Sequence, residues 1–94
     1  MKERKKRIHI RADVSVNGLR SAEALDISQD GMYVFTPKTF LSGLTVNLEF
    51  ELDGEHFDIR AKIKHSNEGV GFGVNFVDLD EKDADRLRDY VDSL

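Results

Sequence analysis

Ninety-four residues suffice for one domain with one core, and the absence of cysteine excludes disulfides and thiolate metal sites. Hydrophobic residues make up 39% and charged residues 34%, which excludes a disordered chain, and no apolar run approaches the ~20 residues of a membrane-spanning helix. The formal charge of −4 is unevenly spread: residues 1–11 carry six basic side chains against Glu3 alone, a net of +5, while the remainder carries eight basic and seventeen acidic groups, a net of −9.

In chain order, Ile8, Ile10, Ala12, Val14 and Val16 alternate with His9, Arg11, Asp13 and Ser15, the period of a half-buried strand. Asn17-Gly18 follows, a hairpin signal because both residues accept positive φ. A second strand is expected over 19–25. It runs into "DISQDG", residues 26–31, and then into "MYVFT", a third strand stopped by Pro37. Leu44, Val46, Leu48, Phe50 and Leu52 mark a fourth strand, with Asp53-Gly54 as the next hairpin turn. Phe57, Ile59, Ala61 and Ile63 mark a fifth strand. After a turn at Asn67-Glu68-Gly69, Val70, Phe72, Val74 and Phe76 mark a sixth.

The period then changes. Ala84, Leu87, Tyr90, Val91 and Leu94 form one helical stripe, and Asp80, Glu81, Asp83 and Asp85 crowd its start, where carboxylates meet free N–H groups and the positive end of the dipole. One domain spans 1–94: a flexible basic arm over 1–7, strands over 8–77 and a helix over 80–94. Short hairpins leave an up-and-down or a Greek-key barrel open.

Enzyme chemistry finds no support. The three histidines, His9, His56 and His65, are expected on different strands at outward-facing phases and lack metal-ligand spacing, and Ser28 lacks a glycine-flanked nucleophile elbow. The expectation is a protein that is not an enzyme and holds no metal or cofactor. Gly69, Gly71 and Gly73 do not precede a helix, so they are no phosphate loop; Gly71 and Gly73 leave one strand face bare for a close approach.

Two stretches carry binding chemistry. In the basic arm, arginine forks can clamp phosphate and guanine, although a solvated tail is the commoner use of such a segment. Concentrated charge favours a compact anion over a nucleic-acid polymer, whose long backbone would meet the acidic body. "DISQDG" reads equally as a turn or as a ligand shelf. In the turn, Asp26 and Ser28 satisfy nearby backbone and Gly31 supplies positive φ. In the shelf, Asp26 and Ser28 present an acceptor and a hydroxyl two residues apart, and Gly31 admits a bulky group against the backbone.

Together the arm and "DISQDG" resemble the PilZ domain family, whose signature is Arg-x-x-x-Arg followed by Asp/Asn-x-Ser-x-x-Gly. Asp26, Ser28 and Gly31 match the second motif. The resemblance extends over the strand meander, the Gly-rich "GFGVNF" strand and the acidic-start helix, nearly the whole chain. It implies a mainly β fold, a small antiparallel six-stranded split barrel with a C-terminal α-helix. It also implies binding of cyclic di-GMP, with arginines gripping guanine and phosphate and the second motif cupping the other side. Arg7 and Arg11 satisfy the first motif literally. The family's first strand instead aligns Arg7 with the second motif arginine, which sets Glu3 at the first and leaves Arg4 one residue too close. Arg7 is therefore ranked first, with Arg4 and Arg11 next.

The expected role is a cytoplasmic second-messenger receptor, with an arm that orders over its ligand and a surface that meets a protein partner, but no membrane. The alternative is a degenerate adaptor of the same family that acts through protein contacts without nucleotide.

Overall fold

Each alternating run forms a strand in the computed structural model, which describes residues 6–94. The elements are β1 (Arg7–Val16), β2 (Leu19–Ser28), β3 (Gly31–Phe35), β4 (Thr45–Leu52), β5 (Glu55–Asn67), β6 (Gly71–Val77) and α1 (Glu81–Asp92). β1 takes in Arg7, which the sequence assigned to the arm; residues 1–5 of the expected arm, Arg4 among them, lie outside the described residues. β2 continues three residues past its expected end, so Asp26 and Ser28 belong to a strand.

The strands close into a barrel in the order β1-β2-β3-β6-β5-β4, every neighbouring pair antiparallel. Two three-stranded meanders, β1 to β3 and β4 to β6, meet along the β3–β6 and β4–β1 seams. β3 and β4 are not neighbours, which rules out the up-and-down order; residues 36–44 carry the chain from one meander to the other. Asn17 and Gly18 have φ of 50° and 84°, and Asp53 and Gly54 of 53° and 82°. Positive φ at both positions is the turn whose twist matches the flanking strands.

The barrel is filled by its own inward side chains. Val14, Val16, Ile27, Val34, Leu48, Phe57, Ile63 and Phe72 are all buried, Phe50 stacks on Phe57 at 5.2 Å, and Phe40 meets Phe72 edge-on at 5.3 Å. Leu44 and Val70, expected inward, are each 48% exposed and lie just outside β4 and β6. Alternation marks phase but not where pairing stops. Leu94, expected on the helical stripe, is exposed beyond the end of α1.

α1 starts where the carboxylates predict. Asp80 caps it by accepting from the Asp83 N–H at 2.7 Å, and Leu87 and Val91 are buried in the core. Arg86 ties the helix to the β4–β5 hairpin. Its guanidinium lies 4.0 Å over the Phe57 ring and donates to Asp83 at 2.6 Å and to Glu55 and the His56 carbonyl at 3.2 Å. Its pKa is raised chiefly by the bond to Asp83, against the opposing effect of burial and with help from Glu55. Arg86→Ala is expected to lower the unfolding free energy by about 1–3 kcal/mol, through lost packing and charge-assisted bonds. Urea denaturation measures this; a loss under about 0.5 kcal/mol, the range of an ordinary surface substitution, would show that the clamp contributes nothing.

Candidate functional site

With the interior filled by side chains, polar chemistry has to sit on the outer face, and two breaks in alternation build it there. In β2, Ala22 and Ala24 are buried, and continued alternation would carry Asp26 inward. The β2–β3 register instead slips between Ala24 and Asp26, so Ile27 is buried and Asp26 is turned out. In β5, the inward run Phe57, Ile59, Ala61, Ile63 would carry His65 inward. The β5–β6 register slips between Ile63 and His65, and Lys64 and His65 are both exposed; His56 and His65 share this one long strand, against the expectation of three separate strands. The result is one row of directly paired outer residues across five strands: His65, Gly73, Tyr33, Asp26 and His9.

Arg7 enters this row from β1. Its Nη1 donates to Asp26 Oδ1, and the same oxygen accepts the Tyr33 N–H at 3.0 Å. Tyr33 is steadied from β5, where Asn67 Nδ2 donates to its hydroxyl at 3.3 Å. Arg7, Asp26, Met32, Tyr33, Lys64, His65, Gly73, Val74 and Asn75 line an open depression of about 260 Å³. Arg7 is about half exposed and Asp26 about one-fifth, so the pair stands at the wall of the depression with the guanidinium outermost.

Within "DISQDG" the two readings divide by residue. Ser28 is buried and closes the turn: its Oγ accepts the Asp30 and Gly31 N–H groups, both at 3.2 Å. Asp26 faces the depression. Gly31, expected to supply positive φ, is not among the positive-φ glycines. A β-carbon there would collide with the Val74 carbonyl oxygen, so glycine is required for close strand approach. Gly73 is bare for a different neighbour. A β-carbon there would come within 2.8 Å of His65 Cε1, so the imidazole lies across the glycine.

Of the residues the sequence singled out, the structure brings Arg7 and Asp26 together over a turn built by Ser28 and Gly31. Arg11 is elsewhere: it is 79% exposed, its Nε lies 3.4 Å from Glu23, and it lines a separate depression with Arg20, Glu49 and His56. Sequence reasoning did not find Tyr33, Lys64, His65 or Asn75. The available signal was His65 itself, a polar residue at the next inward phase after four apolar ones. No group of three or more His, Asp or Glu side chains that could hold a metal occurs among the described residues, and no helix among them is long and apolar enough to cross a membrane.

The model of the PilZ domain family matches residues 2–93. The chain belongs to that family. No curated protein matches the sequence. Among solved structures the fold is similar to that of the Bacillus subtilis inhibitor of motility (MotI/DgrA), with a TM-score of 0.86 and 18% identity over 99% of this chain. The chain spans 51% of the length of that structure, about half.

The two glycines are expected to respond differently to alanine. Gly31→Ala meets backbone that cannot yield and should cost on the order of 1–3 kcal/mol or more. Gly73→Ala meets the end of one exposed side chain that can swing away, and should cost less than about 0.5 kcal/mol. Thermal unfolding of both variants checks this; equal losses would contradict the assignment of the two contacts.

Proposed function

We propose that this PilZ-family chain is a non-catalytic receptor module that binds cyclic di-GMP across the depression walled by Arg7 and Asp26, and that binding alters its contacts with a protein partner. The observation that carries the reading is the Arg7–Asp26 pair, because it joins the arginine arm to the second motif at one wall. A guanidinium has five N–H donors in a planar fork. With one directed to Asp26, others remain to take a phosphate bidentately or the acceptor edge of a guanine. Asp26 can accept from guanine N–H groups through its second oxygen. In this reading Ser28 and Gly31 do not touch the ligand; they shape the turn that holds Asp26.

A dinucleotide is larger than about 260 Å³ of open depression can enclose. The basic residues ahead of Arg7 in the sequence, Arg4 among them, are proposed to supply the remaining cover. Arg11, paired with Glu23 in another depression, is given no more than a minor part. Contacts of exposed cations with phosphate weaken as salt rises, so affinity should fall with ionic strength.

Isothermal titration with cyclic di-GMP at physiological salt, with GTP as control, tests the reading. Saturable binding is expected for the wild type. Arg7→Ala should weaken it by ~1.5–3 kcal/mol, the range of a charge-assisted contact, or about tenfold and more. Arg11→Ala should weaken it by less than about threefold, under 0.7 kcal/mol. Absence of binding by the wild type would favour the adaptor that acts without nucleotide.

A further inference from the structure

The break in β5 does something the family signature does not require. It turns two consecutive side chains, Lys64 and His65, to the outer face, where both line the same depression as Arg7. An ordinary strand would have buried one of them. We propose that Lys64 and His65 form a second anion contact in the depression, across the row from Arg7, and that protonation of His65 strengthens ligand binding. The inference rests on the proposed binding of cyclic di-GMP, whose two phosphates call for cationic groups at two places.

The chemistry follows from the surroundings. His65 and Arg7 stand at opposite sides of the depression, with Gly73, Tyr33 and Asp26 between them in the paired row. Gly73 has no side chain, so the imidazole lies down across it and a ligand has a flat floor. The charged or titratable groups that line the depression with His65 are Arg7 from β1, Asp26 from β2, Tyr33 from β3 and Lys64 from β5; β6 contributes Gly73, Val74 and Asn75, which do not titrate. Imidazole is the side chain whose ordinary titration falls between pH 5 and 8, and phosphodiesters stay ionised throughout that range. An imidazolium beside Lys64 adds a second N–H-bearing cation to the wall facing an anion. Binding should therefore tighten as pH falls.

The test is titration of the wild-type chain with cyclic di-GMP at pH 5.5, 6.5 and 8.0, beside His65→Gln, Lys64→Gln and His9→Gln. The wild type should bind at least about threefold tighter at pH 5.5 than at pH 8.0. His65→Gln should lose the pH dependence while keeping the affinity of the wild type at high pH. Lys64→Gln should bind more weakly at every pH and keep the dependence, and so should His9→Gln keep it. Binding by the wild type that does not change with pH, or a dependence that disappears with His9→Gln instead, overturns the part given to His65, and wild-type affinity in Lys64→Gln overturns the part given to Lys64; either leaves the receptor reading standing. No binding by the wild type at any pH overturns both.

Discussion

A six-stranded barrel closed on itself has an interior only wide enough for its own side chains. Every inward position is committed to the core, and strict alternation then decides what faces out. On such a barrel two consecutive side chains, or a residue at an inward phase, reach the outer face only where alternation breaks. The register slips in β2 beyond Ala24 and in β5 beyond Ile63 are such breaks, and the β1–β2 register slips to match between His9 and Ala12 and again between Val14 and Val16. The first turns Asp26 out and Ile27 in; the second turns Lys64 and His65 out together. The depression, the Arg7–Asp26 pair and the row from His65 to His9 all depend on them.

Closure explains why both breaks serve one place. β2 and β5 are distant in sequence, but the β3–β6 seam brings their outer faces within two strands of each other. That seam also explains the glycines. Gly31 and Gly71 sit near its two ends, where a β-carbon would collide with the carbonyl oxygens of Val74 and Val34. Gly73, in the middle, faces outward and makes room for the His65 ring. One strand pair thus sets both the fit of the barrel and the floor of the site. Next to Arg7, Lys6 donates to the Leu94 carbonyl at 2.6 Å, beyond the end of α1.

Six strands and the helix were legible because local period and turn chemistry suffice to mark them. Asn17-Gly18 and Asp53-Gly54 demand positive φ, and the chain supplies it. Asp80 caps the helix as its position predicts. Arg7, Asp26, Ser28 and Gly31 were legible through the family motif, but their division of labour was not. Whether Ser28 meets a ligand or its own turn depends on which face a bulge presents, and a bulge is a property of two strands in register, not of one sequence. For the same reason His65 could not be assigned to the site from its strand alone. The barrel order was also hidden, since the β3–β6 and β1–β4 pairings join segments that only closure brings together.

One outer depression, opened where alternation breaks in β2 and β5, is the proposed place where the chain meets its ligand. Amide chemical-shift mapping of the ¹⁵N-labelled chain during titration with cyclic di-GMP tests it most directly. The largest changes are expected at Asp26, Tyr33, His65, Gly73 and Asn75, with Glu49 and His56 of the other depression nearly still. Changes centred on Arg20, Glu49 and His56, or no changes at saturating ligand, would contradict it.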